Sequence, residues 1–281
     1  LIQRLIRYRL DTRQGRVETI SEERLPRLTF IHDFALTADG TAVFFDPGVA
    51  FHLAGPLLGT IPPAASVRGD DSRETLVRIF PPDQPQASVT APSGYVFHIP
   101  NGYREREGVV VDTCWLEHFP DTDDFAALLQ DKRPIHDFLP KLTRHRVDPA
   151  RGSHSAEVIS EYPIELTSIN ESLRGQKHRY VWGVSEEPGR DMPTVMHALV
   201  KVDTALGMSR FRDFHPLIVG EPLLVSRGSA EDDAWLLVLA YDPTDNSGAL
   251  LILEADSLAS VARLRLPEPV HLGFHGIWAA A

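Results

Sequence analysis

One pattern recurs four times along the chain: an alternating strand, an aspartate, a short turn and a second strand. It reads "LIRYRLDTRQGRVETI", "LTRHRVDPARGSHSAEVI", "ALVKVDTALGMSRF" and "LLILEADSLASVARLRL". In each copy the aspartate (Asp11, Asp148, Asp203 or Asp256) opens the turn, where a short carboxylate can accept a backbone N–H two residues on. The last three acids fall 55 and 53 residues apart, close to the roughly 40–50-residue repeat of four-stranded propeller blades. Unrelated hairpins of a β-sandwich would give the same local signal. Most other ordered stretches are runs of roughly four to eight Val, Ile, Leu, Phe, Tyr and Trp-rich residues closed by Gly, Pro, Asp or Asn. The pattern predicts an all-β fold, read as one domain over 1–281, with less regular blades between Asp11 and Asp148.

Two segments interrupt it. "TDDFAALLQDK" at 122–132 predicts a helix, with Thr122 or Asp123 as cap and Phe125, Leu128 and Leu129 on one face. "FDPGVAFHLAGPLLGTIPPAAS" at 45–66 is apolar but rich in Gly and Pro, which predicts an irregular loop needing cover from the body, a greasy ligand or a membrane surface.

Charge and cysteine content narrow the function. With 39 acidic against 28 basic residues, a net charge of -11 and no Lys/Arg block, the sequence argues against nucleic acid as a partner. A single cysteine, Cys114, excludes a disulfide framework and any multi-cysteine metal site and fits a reducing cytoplasm. No apolar run approaches the roughly 20 residues that span a bilayer, and nothing near Leu1 is ordered like a signal peptide. The chain opens directly on strand-like sequence, as if a fold had begun upstream.

Most of the 12 histidines sit in polar, loop-like contexts. Three do not: His32 in "TFIHDFALT", His98 in "GYVFHIPNGY" and His275 in "HLGFHGIWA" lie in apolar, strand-like settings. A buried imidazole needs a partner, and for each histidine alone a carbonyl or carboxylate would serve. A radial fold brings inner strands of different blades to one axis, so these distant residues can also converge. An imidazole shell suits Fe, Zn, Cu or Ni and, with positions left open, can activate a small molecule. Ligating histidines hand their second ring N–H to a carboxylate or carbonyl; Glu165 in "YPIELTSIN" and Glu221 in "IVGEPLLVS" are the acids in apolar strand contexts. Asp33 adjoins His32 but points to the opposite face of a strand, which makes it the poorer choice.

At these residues the sequence resembles the carotenoid cleavage oxygenase family. "IHDFALT" is similar to the family's His-Asp-Phe-Ala motif, and "FHIPNGYREREGVVVDTC" to its Phe-His-x-x-Asn-Ala-Tyr-Glu motif with the apolar run and Asp that follow. "IELTSINESLRGQKHRYVWG", "GEPLLVSRGSAEDDAWLLVLAYD" and "LGFHGIWA" resemble three later signatures in the family order. The departures are Gly102 for the usual Ala, Arg104 for Glu and Thr167 for Pro.

The resemblance implies a seven-bladed β-propeller, of which this chain covers roughly the last four to five blades. It implies Fe(2+) on the axis, held by four histidines with glutamates behind three of them. His32, His98 and His275 then stand at ligand positions, with Glu165 behind His98 and Glu221 behind His275. The family's first histidine ligand and the glutamate behind His32 lie upstream of the matched segment. The implied reaction is cleavage of a carbon-carbon double bond of a carotenoid or apocarotenoid by O2 to give carbonyl products. A stilbene-cleaving member of the family and a non-catalytic propeller used as a binding scaffold are the alternatives. Phe97, Tyr103, Phe274 and Trp278 are expected as tunnel walls. Leu57 and Leu58, with Phe51, Leu53 and Ile61, are expected at its mouth, where the 45–66 loop would give a cytoplasmic protein peripheral contact with a membrane.

Overall fold

Strands dominate the computed structural model, which describes residues 3–82, 84–106, 108–120, 139–187, 196–271 and 273–279. A hairpin of β1 (Arg4–Asp11) and β2 (Arg16–Arg24) comes first. The first blade consists of β3 (Ala35–Leu36), β4 (Ala42–Asp46), β7 (Thr75–Phe80) and β8 (Ala87–Ala91), with a side ladder of β5 (Val49–Phe51) and β6 (Val67–Gly69) inserted between β4 and β7. In the second, β9 (Tyr95–Val96) pairs with the end of β11 (Gly108–Leu116), which is flanked by β10 (Asn101–Glu105) and β12 (Lys141–Asp148), with β13 (Ser153–Pro163) outermost. The third runs β14 (Glu165–Ser168), β15 (Tyr180–Ser185), β16 (Ala198–Asp203) and β17 (Met208–Asp213), and the fourth β18 (Ile218–Ser226), β19 (Ala234–Asp242), β20 (Ser247–Glu254) and β21 (Ser260–Arg265). Among the described residues the pairings are antiparallel and, apart from β4–β7 across the side ladder and β9–β11 across β10, join neighbours in sequence, the meander of a propeller blade. The expected helix at 122–132 lies outside the described residues.

The core lies between blades. In the third blade, alternation sends Val181, Val200 and Val202 toward Leu142 and Ile159 of the second, while Trp182, Val184 and Leu199 face Val219, Leu236 and Val238 of the fourth. Trp182 is fully buried and donates its indole N–H to the Ala255 carbonyl at 2.8 Å, crossing to the fourth blade. Between the first two blades, Val43, Phe45, Val77 and Ile79 meet Val109, Val111 and Val147. The first strands approach one another, β3 against β10 and β14 against β18. Gly102 shows how closely: a Cβ there would stand 2.6 Å from the Ala35 Cβ, which explains glycine where the related motif has alanine. Arg104, the second departure, faces Asp39 at 3.5 Å.

The turn acids behave as the hairpin pattern expects at three of four places. Asp11 accepts from the N–H groups of Arg13 and Gln14, Asp148 from Ala150 and Arg151, and Asp203 from Ala205 and Leu206. Asp256 instead receives the Lys201 ammonium at 3.2 Å. Asp242, in a turn the repeat did not flag, caps β19–β20 by accepting from Thr244 N–H.

Segment 45–66 is more ordered than a Gly/Pro-rich loop. Val49–Phe51 pairs with Val67–Gly69, and Ala54–Leu57 makes one helical turn, α1, whose Pro56 needs no N–H partner so early in a helix. Gly59, at φ 69°, lets the chain leave it. Leu57 and Leu58 at its end are 78% and 77% exposed.

His145 on β12 gives the fold a defined acid sensitivity. Its ring is buried between Phe45 and Trp115, each 4.8 Å away centre to centre, with Nε2 on Thr113 Oγ1 at 3.1 Å and Nδ1 on His154 Nε2 at 2.9 Å. Burial first, and His154 second, push its imidazole down to about 3. The unfolded chain takes up this proton near pH 6.5 and the folded chain does not, so stability is lost as pH falls from about 6.5 toward about 3. At pH 5 the loss is about 2 kcal/mol. Urea unfolding at pH 7.5 and 5.0 should show a pH-dependent difference smaller by about that amount in His145→Gln; equal differences would contradict the assignment.

Candidate metal centre

The three apolar-context histidines meet at the inner ends of different blades, although none sits on a strand. His32 precedes β3, His98 lies between β9 and β10, and His275 follows β21 in the C-terminal segment. Strand-like composition misled here because these segments lie off the ladders. Pro100 lacks an N–H, and the His98 carbonyl takes the Cys114 N–H, at 2.9 Å.

Two imidazoles are each tied by Nδ1 to a carboxylate. His98 Nδ1 makes a short contact with Glu165 Oε2, and His275 Nδ1 lies 3.1 Å from Glu221 Oε1. The glutamates are anchored in turn: Glu165 Oε2 accepts from Leu166 N–H and Glu221 Oε2 from Gly276 N–H, both at 2.7 Å. Leu166 has φ 46°, beside a register shift in the β14–β15 ladder.

A carboxylate only accepts, so both Nδ1 atoms carry hydrogen and both Nε2 atoms turn lone pairs outward. Those Nε2 atoms face each other at 3.1 Å. Two lone pairs at that distance repel unless a cation lies between them. Two nitrogens each about 2.1 Å from one divalent ion and roughly at right angles are themselves about 3 Å apart, so the spacing fits a metal as well as a proton. Burial lowers the His98 imidazole, but the Glu165 hydrogen bond and charge outweigh it and the net shift is upward. His32 is lowered, by burial first and by His98 next. Its ring meets that of His98 edge-on, 5.3 Å between centres. Among the described residues no group of three or more His, Cys, Asp or Glu side chains is spaced to hold a metal ion: the site is two facing imidazoles with a third alongside, and the His275 side chain is about half exposed.

The surroundings differ on two sides. An aromatic wall runs from His32 to Phe97 (5.5 Å) and on through Phe30 and Phe119, in the cluster that includes Phe51 of β5. Phe30 and Phe119 were not singled out in the sequence, although Phe30 stands two residues from His32. On the other side, Asp33, Thr167 and Arg174 line a polar cavity together with the imidazoles. Tyr103 is elsewhere: the alternation of β10 buries its ring edge-on to His178, 6.0 Å away. Phe274 and Trp278 are 77% and 54% exposed; Phe274 borders an apolar hollow of about 270 Å³ with Leu223, Leu239 and His275. Leu57 and Leu58 stand on α1, outside both cavities.

A model of the retinal pigment epithelial membrane protein family matches residues 3–280. The chain belongs to this family. Among its family relatives, the apocarotenoid-15,15'-oxygenase of Synechocystis sp. is 29% identical over 276 residues, covering 95% of this chain and 55% of that protein. The carotenoid cleavage oxygenase of Mycobacterium tuberculosis is 33% identical over 195 residues, 66% of this chain and 38% of its own. The crystal structure of cobalt-substituted Synechocystis ACO superposes with a TM-score of 0.88 at 26% identity, covering 100% of this chain and 61% of that one. The matched part is 55% and 38% of the two relatives and 61% of the superposed chain, so the chain spans only part of their length.

Proposed function

We propose that the chain is the histidine-bearing part of an Fe(II)-dependent oxygenase, which cleaves one carbon-carbon double bond of a carotenoid or apocarotenoid with O2 into two carbonyl products. The observation that carries this reading is the pair of Nε2 atoms facing each other at 3.1 Å, each imidazole backed by a glutamate. His98 and His275 would hold the ion with His32 as third ligand. Neutral nitrogen donors suit ferrous iron, and a protein that superposes on the chain is cobalt-substituted. Iron, when bound, supplies the redox chemistry that lets O2 react with an alkene.

The chain's own residues do the rest. Glu165 and Glu221 fix tautomer and ring orientation. Phe30, Phe97 and Phe119, with Phe30 edge-on to the other two, offer an apolar aromatic wall beside His32 along which a conjugated chain can lie. Both atoms of O2 end in the two carbonyl groups, so no further reductant is consumed. The Fe(II)-loaded chain, incubated in air with an apocarotenal and separately with a hydroxystilbene, should give paired carbonyl products from the apocarotenal. Products from the stilbene alone would move the substrate class, and none from either would leave a binding scaffold.

The aromatic cluster includes Phe51, three residues before α1, and Leu57 and Leu58 stand largely exposed. Insertion of these two side chains into a bilayer surface would let a water-insoluble polyene enter without crossing water. Each buried leucine contributes roughly 1.5–3 kcal/mol, so replacing both with serine should weaken binding to phosphatidylcholine liposomes at least about tenfold in flotation. Unchanged flotation would contradict membrane contact through this turn.

A further inference from the structure

Asp33 does something that strand alternation beside His32 does not suggest. Its carboxylate reaches the neighbouring blade: Oδ2 accepts the Ile99 backbone N–H at 2.8 Å, while Oδ1 accepts the Phe34 N–H at 2.7 Å. Asp33 follows one candidate ligand and Ile99 follows another, so one side chain joins the two ligand-bearing segments, 66 residues apart in sequence. Neither segment has a strand partner at this point, and a backbone N–H as buried as that of Ile99 needs an acceptor. The other side of the His98 segment is held separately, by Arg174 Nη1 on the Pro100 carbonyl at 2.8 Å and by the Asn101 side chain on Gly175 N–H and the Gln176 carbonyl, both at 2.9 Å. Those bonds fix His98 relative to the third blade; the Asp33 bond fixes it relative to His32.

We propose that Asp33 is a positioning residue that sets the spacing of His32 and His98 through the Ile99 N–H, and so tunes the affinity and geometry of the metal site. This inference rests on the metal reading above. An ion needs its donors placed to a few tenths of an ångström, and loss of a supporting hydrogen bond one shell out costs about 10–100-fold in affinity.

The test uses the complete chain with Co(II) as probe, read by calorimetry and by visible absorption, together with amide exchange at Ile99 and the imidazole NMR shifts of His98 in the metal-free chain. Asp33→Ala should bind Co(II) about 10–100-fold more weakly with a changed absorption spectrum, and Ile99 N–H should lose its protection. Asp33→Asn retains an oxygen acceptor and should restore exchange protection and the wild-type spectrum. Wild-type Co(II) affinity and spectrum in Asp33→Ala would overturn the positioning role. A wild-type chain that takes up no Co(II) would overturn the metal reading instead; Asp33 is then decided by the metal-free readouts, where unchanged Ile99 exchange and His98 shifts in Asp33→Ala would overturn it.

Discussion

Asp112→Ala is expected to destabilise the chain by about 3–5 kcal/mol, because it strands a buried cation. Asp112 has no exposed surface. Its carboxylate takes Arg144 in a two-point grip, Nε on Oδ1 at 2.8 Å and Nη2 on Oδ2 at 2.7 Å, and His178 Nε2 stands 3.0 Å from Oδ2. Burial alone would raise the Asp112 carboxyl, but the Arg144 hydrogen bonds, with the His178 ring beside them, hold it below the usual carboxylate range. Asp112 and Arg144 are cross-strand partners on β11 and β12. Arg144 also reaches the Thr204 carbonyl, and His178 the Asn101 amide, so the charge pair ties the second blade to the third. Removing Asp112 leaves the guanidinium without a counter-charge in a dry site. Adding Arg144→Met to Asp112→Ala should therefore recover part of the loss in urea unfolding. A double variant as unstable as the sum of the singles would contradict this account.

Glu165→Ala should weaken divalent-metal binding by about 10–100-fold while leaving the blades folded. One oxygen of Glu165 accepts from both His98 Nδ1 and Leu166 N–H. Its loss frees the His98 ring to rotate or change tautomer and removes the bond that holds Leu166 at positive φ. Glu165→Gln keeps an acceptor without the charge and should fall between the two. Calorimetric titration of the metal, with circular dichroism to confirm the fold, checks the order; equal affinities for wild type and Glu165→Ala would contradict a role for the carboxylate.

The fold was readable where local chemistry repeats. Asp148 and Asp203 mark the outer hairpins of successive blades because a turn acid satisfies backbone N–H groups wherever it stands. Asp256 broke the rule because Lys201, buried against Tyr180 and Trp182, needs carboxylates more than that turn does. The convergence of His32, His98 and His275 was readable only once a radial fold was assumed. Glu165 and Glu221 stood out as acids in apolar strand contexts, but which histidine each serves needed the family resemblance, since 67 residues separate Glu165 from His98. What stayed hidden depends on backbone off the ladder. Period-two alternation set Asp33 aside, whereas the actual segment carries its carboxylate to Ile99. Tyr103 and Phe30 are equally aromatic in sequence, and only the positions of β10 and the segment before β3 decide which lies beside His32.

The facing imidazoles are the centre of the account, and metal uptake tests them most directly. Anaerobic calorimetric titration of the wild-type chain with Fe(II) should show one ion bound per chain, with release of whatever protons the ligating imidazoles carry. His98→Ala should abolish both signals. Binding by His98→Ala as strong as that of the wild type, or no uptake by either, would contradict the account.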